Sequence, residues 1–243
     1  MSSSNKTPAL INWLGYLAIA LLLLLPVSVL TVRSGAWQQG LLLYALSCLG
    51  CLLIIILGAL LVLLPRFAGA RGAILGRMLI ALPGALLLLS LLAGRGDYPA
   101  IHDVSTDTAD PPIFVTAAEQ RGDSANTLDI DPQAIAAQQQ AYADLQTLLT
   151  DMSIDQAFDR ALAVAARLDW DIYHQDRNAG VIEAVDTTAV MAFQDDVVIR
   201  VRTNAQGTLL DLRSVSRVGI GDIGANAKRI RAFLQAFEQS GSD

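Results

Sequence analysis

Hydrophobic and polar residues divide the chain into two parts that meet near Gly96. Before that point, three long apolar runs follow one another, at about residues 10–32, 41–64 and 73–93. A helix needs roughly 20 apolar residues to cross the hydrocarbon core of a bilayer. Backbone N–H and C=O groups in lipid must bond within their own segment. Each run therefore predicts a membrane-spanning helix.

The third run is interrupted by Arg77 and Pro83. Arg77 is predicted within about one turn of the end of the helix, from where its long side chain can extend toward the headgroups. The first run is too long for the apolar core of a cleaved signal peptide and has no small-residue cleavage site after it. We therefore expect it to remain as an anchor.

After Gly96 the pattern changes to short apolar repeats separated by turn-forming residues. Residues 96–152, here called the strap, are rich in Asp, Pro, Thr and Gly, which predicts an extended segment with turns. Within it, Asp131 and Pro132 fit the N-cap and first residue of a short helix. We divide the chain into a three-helix membrane part (1–95), the strap (96–152) and a compact α+β domain (153–243).

The compact domain begins with a helix signal. Ser153 and Gln156 fit a capping box, and apolar residues then recur at helical spacing as far as Leu168. Four strand-like runs follow, and a last helix is expected at about residues 223–237; the runs are 170–174, 181–188, 197–203 and 208–216. The predicted fold is a two-layer sandwich of helix, four-stranded antiparallel meander and helix. One face of such a sheet lies under the helices and the other is exposed to water.

Charge follows the same division. Residues 1–94 hold five cations and no acid, whereas the rest of the chain holds twelve cations and all 23 acids, a balance of −11. Neutralising phosphates requires clustered Lys and Arg. Nucleic acid is therefore excluded as a partner of the acidic part.

The cations near the ends of the spans predict an orientation, because Lys and Arg are retained on the cytoplasmic side. With three spans, Lys6, Arg66 and Arg71 lie on one side, against Arg33 and Arg95 on the other. We expect a bacterial inner-membrane protein with a cytoplasmic N-terminus and a periplasmic C-terminal domain. The lipid bilayer is then its first partner.

Both cysteines lie in the second apolar run, as Cys48-Leu-Gly-Cys51. This spacing occurs in redox proteins, but the reactive thiolate is disfavoured in hydrocarbon. We interpret both as small packing residues. Gly50 and Gly58, with Ser47 and Ala59 nearby, would let neighbouring helices approach closely.

Several spaced motifs in the acidic part are recognisable. They are the strap segment 98–108 with Pro111-Pro112, the segment 193–202, and the segment 211–219 leading to 222–226. Together they resemble the uncharacterised bacterial family called domain of unknown function 1499, over about residues 97–238. Where family members often carry Tyr-Pro-Asp-Ile, this chain has Tyr142-Ala-Asp-Leu145. The resemblance implies a membrane-linked domain without an established activity.

Strand alternation gathers arginines on one face of the predicted sheet. In their strand, Arg200 and Arg202 point to the face opposite the aliphatic residues. Arg213 and Arg217 do the same in the next strand, and Asp211 lies among them. Guanidinium groups bond carboxylates and phosphates in pairs, so this face could recognise an anionic ligand or a lipid headgroup. Alternatively, it forms a lattice of ion pairs with Asp195, Asp196, Asp211 or the acidic strap. Our candidate ligand-binding residues are Arg200, Arg202, Arg213, Ser216, Arg217, Asp222 and Asn226.

The segment Gly219-Ile-Gly-Asp-Ile-Gly224 matches the glycine pattern of dinucleotide sites. Too few residues follow it for a second parallel strand with an acidic ribose ligand. We expect Asp222 to cap the last helix and Asn226 to bond nearby loop backbone. No cofactor is expected.

Catalytic patterns are sparse. His102 beside Asp103 and Asp107 is a weak candidate for a metal site, without the spaced second histidine that zinc sites carry, so we predict no metal. Asp195 and Asp196 are consecutive in a strand and point to opposite faces, which disfavours a concerted acid/base pair. We expect a non-enzymatic module that binds an envelope protein, a lipid or another anionic ligand. The alternative is a small envelope hydrolase or transferase with an Arg/Asp-lined cleft.

Overall fold

The computed structural model describes residues 7–94 and 96–239, which fall into two compact units. The first unit consists of three long helices and a short 3-10 helix between the last two. All three long helices are long and apolar enough to cross a membrane, as predicted. They are α1 (Ala9–Arg33), α2 (Trp37–Leu63) and α3 (Arg71–Ala93), and the 3-10 helix is Pro65–Ala70. Lys6 and Arg95, used above for the orientation, lie outside the described residues.

Small residues allow α2 to pack closely against its neighbours. A Cβ atom at Gly50 would lie 2.7 Å from Cδ1 of Leu21, and one at Gly58 would lie 2.5 Å from Cγ of Met78. Ser47 is buried beside them, while Ala59 is exposed. Cys48 and Cys51 are also buried, as expected of packing residues in a helix bundle.

Arg77 lies deeper in its helix than predicted, because α3 begins at Arg71 rather than at about residue 73. Its guanidinium bends back toward the start of α3, where Nη1 donates to the carbonyl of Ala73 at 3.3 Å. The aliphatic part of the side chain passes over Gly15 of α1. The direction of this bend is the one by which a long cationic side chain leaves hydrocarbon.

The second unit comprises Asp97–Ala189 and the chain from Phe193 onward. Both predicted helix starts are confirmed: Asp131 accepts a hydrogen bond from the Gln133 N–H, and Ser153 and Gln156 form a capping box. In chain order the elements are β1 (Asp103–Ser105), α4 (Ala117–Gln120), α5 (Pro132–Ala141), β2 (Leu148–Thr150), α6 (Ile154–Arg167), β3 (Asp171–Asp176), β4 (Val181–Thr187), β5 (Gln194–Asn204), β6 (Gly207–Ser216) and α7 (Ala225–Gln239).

The four predicted strands form an antiparallel meander of β3 to β6, which confirms the fold class. Two short strands from the strap extend it to six, because β1 and β2 both pair with the free edge of β6. β1 pairs with the end of β6 and β2 with its beginning. The outer edge of β6 is therefore covered by the strap.

One face of the sheet packs against α6 and α7, as predicted. Phe158 of α6 and Ile230, Phe233 and Phe237 of α7 lie over the aliphatic side chains of β4, β5 and β6. Trp170 stacks on Phe233 with ring centroids 5.3 Å apart. This face holds the main apolar core of the domain.

The expectation that the other face is exposed to water is wrong. Val198 and Val215 on that face are fully buried, as are the acids Glu183 and Asp196. The covering material is the strap, which lies across this face and bonds to the polar side chains there. Sequence reasoning missed the cover because the strap lacks apolar periodicity and attaches through charges.

Candidate functional site

The predicted arginine face exists and lies beneath the strap. In the register of β5 and β6, Arg200 is opposite Asp211 and Val198 is opposite Arg213. Val197, Ile199 and Val201 are in the core on the helix side, so alternation places the arginines on the strap side. Four of the seven candidate residues are brought to this face: Arg200, Arg202, Arg213 and Arg217.

Arg200 and Arg202 form a shared network with three acids. Arg200 Nη2 lies 3.1 Å from Asp211 Oδ2, and Arg202 Nη2 lies 2.8 Å from Asp107 Oδ2. Arg200 also reaches Asp110 at 2.9 Å. Two cations and three carboxylates leave this network with an excess of negative charge.

Asp211 is the centre of this network and has no exposed surface. Its Oδ1 accepts hydrogen bonds from Thr147 Oγ1 at 2.5 Å and from Thr106 Oγ1 at 3.3 Å. Both threonines belong to the strap, and the two arginines belong to the sheet. A buried carboxylate with this many donors is compensated, and it ties the strap to β5 and β6.

Arg213 is held by a bidentate pair and is only 1% exposed. Its Nε and Nη2 bond to the two oxygens of Asp103 at 3.0 and 2.7 Å. Nη2 also donates to the carbonyl of Leu128 at 2.8 Å, and the guanidinium lies 5.6 Å from the ring centroid of Phe114. Every one of these partners is in the strap.

Arg217 forms a second bidentate pair, with Asp196 of β5. The two bonds measure 2.9 and 2.8 Å, and they raise the pKa of Arg217 above its ordinary value. Arg121 of the strap lies 3.1 Å from the same carboxylate, without the alignment of a hydrogen bond. Burial lowers the pKa of Arg121, although the charge of Asp196 opposes that shift.

Tyr173 approaches the same carboxylate from a bulge in β3. Its hydroxyl lies 3.5 Å from Asp196 Oδ1. Burial raises the pKa of Tyr173 far above its usual range, and the negative charges of Asp196 and Glu183 act in the same direction. The phenol is therefore held neutral rather than prepared to act as a base.

Glu183 is a buried acid that the sequence analysis missed. Its two oxygens accept hydrogen bonds from the backbone N–H groups of Val115 and Thr116, and from Thr116 Oγ1 at 2.6 Å. Strand alternation could have found it, because Glu183 lies between Val181 and Val185 on the strap side of β4. Its role is to hold the strap rather than to face solvent.

The other three candidate residues are not on this face. Ser216 and Asn226 lie in a separate network under α7, where Asn226 Nδ2 donates to Ser216 Oγ at 2.9 Å and to the carbonyl of His102 at 3.0 Å. Arg229 joins this network and pairs with Asp195 at 2.5 Å. The seven candidate residues are thus divided among both faces of the sheet, α7 and the loop before α7.

Asp222 lies in that loop and caps α7, as predicted. Its carboxylate accepts hydrogen bonds from the N–H groups of Gly224 at 2.9 Å and Asn226 at 2.6 Å. The predicted bond of Asn226 to loop backbone is the one to His102. The donors that a phosphate would require at this helix start are already used by Asp222.

The weak metal candidates are separated by their other bonds. His102 Nδ1 is 3.3 Å from the carbonyl of Ile220, Asp103 is paired with Arg213, and Asp107 is paired with Arg200 and Arg202. Within residues 7–94 and 96–239, no group of three His, Cys, Asp or Glu side chains is placed to hold a metal ion. The charges on the strap face serve to join the strap to the sheet.

The similarity of this chain to known proteins lies in the same part of the sequence, from β1 into α7. None of the curated proteins compared with the chain matches it significantly. A family model described as "Protein of unknown function (DUF1499)" matches residues 103–237, which run from β1 into α7. Because this match covers more than half of the 243 residues, the chain belongs to the DUF1499 family, as its motifs predict.

Proposed function

We propose that the chain is a bacterial inner-membrane protein whose strap and α+β domain form a rigid interaction module on the periplasmic side. The module would bind an envelope protein, a lipid or another anionic partner. Three helices able to span a bilayer and membership in a family of unknown function are compatible with this role.

The distribution of cations supports the orientation. Arg66 lies in the 3-10 helix between α2 and α3 and Arg71 begins α3, whereas Arg33 ends α1 on the opposite side of the span. Because the cytoplasmic side generally retains Lys and Arg, this distribution supports a cytoplasmic α2–α3 connection and an end of α3 on the other side of the membrane. Lys6, by its position in the sequence, adds to the same bias.

One observation carries the choice of a module over an enzyme: the arginines and acids of the strap face are bonded to one another. Arg213 and Arg217 each form a bidentate pair, and Asp196 and Asp211 are fully buried. A hydrolase or transferase that used these groups would have to break compensated buried pairs to meet its substrate. A preformed and rigid surface suits binding better.

Reporter fusions test the orientation. We expect alkaline phosphatase, which is active only in the periplasm, to be active when fused after α7 and inactive when fused after Leu64. A fluorescent protein that matures only in the cytosol should give the reverse pattern. Fluorescence from the fusion after α7 would contradict the periplasmic placement.

Crosslinking in native membranes followed by affinity purification tests the module. Arg202 is the most exposed of the four strap-face arginines, with 39% of its side chain exposed, whereas Arg213 is buried. If an anionic partner is recognised there, Arg202→Gln should reduce its recovery without unfolding the domain. Arg213→Gln should strongly destabilise the domain instead. An Arg202→Gln variant that recovers all partners unchanged would remove this face from the proposal.

A further inference from the structure

The loop Gly219–Gly224 before α7 exposes two large apolar side chains. Ile220 is 82% exposed and Ile223 is 55% exposed. Tyr98 is 48% exposed and lies against this loop, since a Cβ atom at Gly224 would lie 2.6 Å from Cε1 of its ring. The three side chains form a small apolar and aromatic patch on the domain surface.

Ile223 is held in a backbone conformation that is rare for its residue type. Its φ is 54°, in the left-handed region, where a β-branched side chain is a genuine outlier. Gly219 and Gly224 on either side also have positive φ values. A strained residue whose side chain is more than half exposed calls for a role outside the domain.

The loop is fixed rather than loose, so this exposure is built into the domain. The Asp222 N–H donates to the carbonyl of Ile101 at 3.1 Å, and the Asp222 carboxylate bonds to the N–H groups of Gly224 and Asn226. His102 Nδ1 lies 3.3 Å from the carbonyl of Ile220. The polar groups of Asp222 are used in bonds within the domain, while the side chains of Ile220 and Ile223 face solvent.

The chain itself indicates what lies close to this patch. Tyr98 follows the last residue of α3, Ala93, by five residues. An extended chain spans at most about 3.6 Å per residue, so Tyr98 lies within about 18 Å of the end of a membrane-spanning helix. Tyrosine is enriched at the membrane interface, where its ring meets apolar chains and its hydroxyl meets water.

We infer that the Gly219–Gly224 loop, with Tyr98, inserts Ile220 and Ile223 into the interfacial region of the bilayer that holds α1 to α3. The occupant of the patch is a phospholipid surface. Strain at Ile223 is maintained because it aims an apolar side chain at the acyl chains instead of at the core. This inference rests on the membrane insertion in the proposed function, but not on which side of the membrane the domain lies.

Fluorescent labelling of the full chain in nanodiscs tests the inference. In a Cys48→Ala, Cys51→Ala background, a nitrobenzoxadiazole probe is attached at Ile220→Cys or, as a control, at Leu149→Cys. Leu149 is 51% exposed and pairs with Leu209 near the beginning of β6, far from the loop that follows its end. The nanodiscs hold one copy each in phosphatidylethanolamine and phosphatidylglycerol, with or without lipid that carries a nitroxide near the headgroup.

We expect nitroxide lipid to quench the probe at residue 220 several-fold more strongly than the probe at residue 149. A second variant, Ile223→Gly, removes the strain and the side chain together. It should raise the thermal stability of the domain and reduce quenching at residue 220. A loop with only a structural role would gain the same stability without a change in quenching.

Equal quenching at the two positions would overturn the inference. A second result would also overturn it: the probe at residue 220 stays in water in nanodiscs, and a photocrosslinker at the same position captures a protein in native membranes. The occupant of the patch would then be a protein. Failure of the chain to enter nanodiscs would count against membrane insertion itself. The two failures are therefore distinguishable.

Discussion

Asp196, Asp211 and Glu183 have no exposed surface, although each is an acid. Each is compensated by arginines, hydroxyl groups or backbone N–H groups within bonding distance. Replacing both members of such a pair with apolar residues can be nearly neutral, whereas removing one member leaves a buried charge without compensation. At the residue scale, these sites should therefore be sensitive to single substitutions.

Asp196→Asn should destabilise the domain by about 3–5 kcal/mol, because it removes the charge that compensates Arg217 and Arg121, whose side chains are only 14% and 4% exposed. Asp110→Asn is the matched control: Asp110 pairs with Arg200 but 70% of its side chain is exposed, so about 1 kcal/mol or less is expected. Urea unfolding in detergent, followed by Trp170 fluorescence in a Trp13→Phe, Trp37→Phe background, measures both. Equal effects of the two substitutions would contradict compensation by Asp196.

Tyr173 predicts a dependence of stability on alkaline pH. Its pKa is raised by burial and then by Asp196 and Glu183, so the folded state holds the phenolic proton more tightly than the unfolded state. The resulting stability is fully present below the unfolded value of about pH 10 and is lost as pH rises from there toward the folded pKa.

The urea midpoint should therefore fall between about pH 9 and pH 11, and the fall should be shallower in Tyr173→Phe, which has no proton to lose. Tyr98→Phe, at an exposed tyrosine, controls for the loss of a hydroxyl group and should keep the slope of the parent protein. A Tyr173→Phe variant with the parent slope would exclude this residue as the source of the pH dependence.

At the scale of elements, the strap is attached to the sheet by polar contacts as well as by apolar ones. Glu183 bonds to consecutive N–H groups of Val115 and Thr116, which fixes the backbone of the strap where it crosses β4. These two amides should exchange slowly with solvent although they belong to no regular element.

Glu183→Gln tests this attachment. The glutamine amide group offers one oxygen where the carboxylate offers two, so one strap N–H loses its acceptor and the domain should lose about 1–3 kcal/mol. Hydrogen exchange at residues 113–118 should accelerate while exchange in β5 changes little. Glu119→Gln, at an exposed acid of α4, should leave exchange unchanged.

The membrane helices offer a second test at this scale. A Cβ atom at Gly84 of α3 would lie 2.6 Å from Sγ and 2.9 Å from Cβ of Cys51 in α2, whereas one at Gly76 of the same helix would meet nothing within 4 Å. Gly84→Leu should separate α2 from α3 and lower the melting temperature in detergent, at a cost of about 1–3 kcal/mol or more. Gly76→Leu should leave the melting temperature unchanged. Both variants can be measured by size-exclusion chromatography after heating, and similar melting temperatures would contradict the close packing of α2 and α3.

Elements that are defined by local signals could be predicted from the sequence, and elements that depend on distant partners could not. Local signals predicted the caps at Asp131 and Ser153 and the four long strands, because caps and alternation are read within one segment. β1 and β2 have three residues each, too few to show alternation, and they form only because the edge of β6 is available.

The candidate site divides in the same way. The alternation of side chains along a strand correctly predicted that Arg200 and Arg213 share one face, because this alternation depends only on neighbouring residues of the same strand. Their partners Asp107 and Asp103 are about a hundred residues away in the chain, and no local pattern links them. Both the cover over the face and the identity of its ion pairs therefore depend on tertiary structure.

In the whole molecule, the two parts that differ in charge also have separate apolar cores. The apolar core of the second unit draws its residues from Ile101 to Phe237, and the membrane bundle has its own core from Ile11 to Ala81. A domain with a complete core and a net charge far from zero should be soluble without its membrane part.

Two fragments test how much of the chain that domain needs. Residues 97–243 should fold as a soluble unit with well-dispersed amide signals in nuclear magnetic resonance spectra. Residues 153–243, the domain as predicted from periodicity, lack the core residues Ile101, Val104 and Leu145. They also lack the strap that covers the other face of the sheet, so Val198 and Val215 would be exposed to water, at a cost of about 1.5–3 kcal/mol each in a domain whose total stability is about 5–15 kcal/mol. We expect the shorter fragment to give poorly dispersed signals, and a well-dispersed spectrum from it would mean that the sheet can bury its face without the strap.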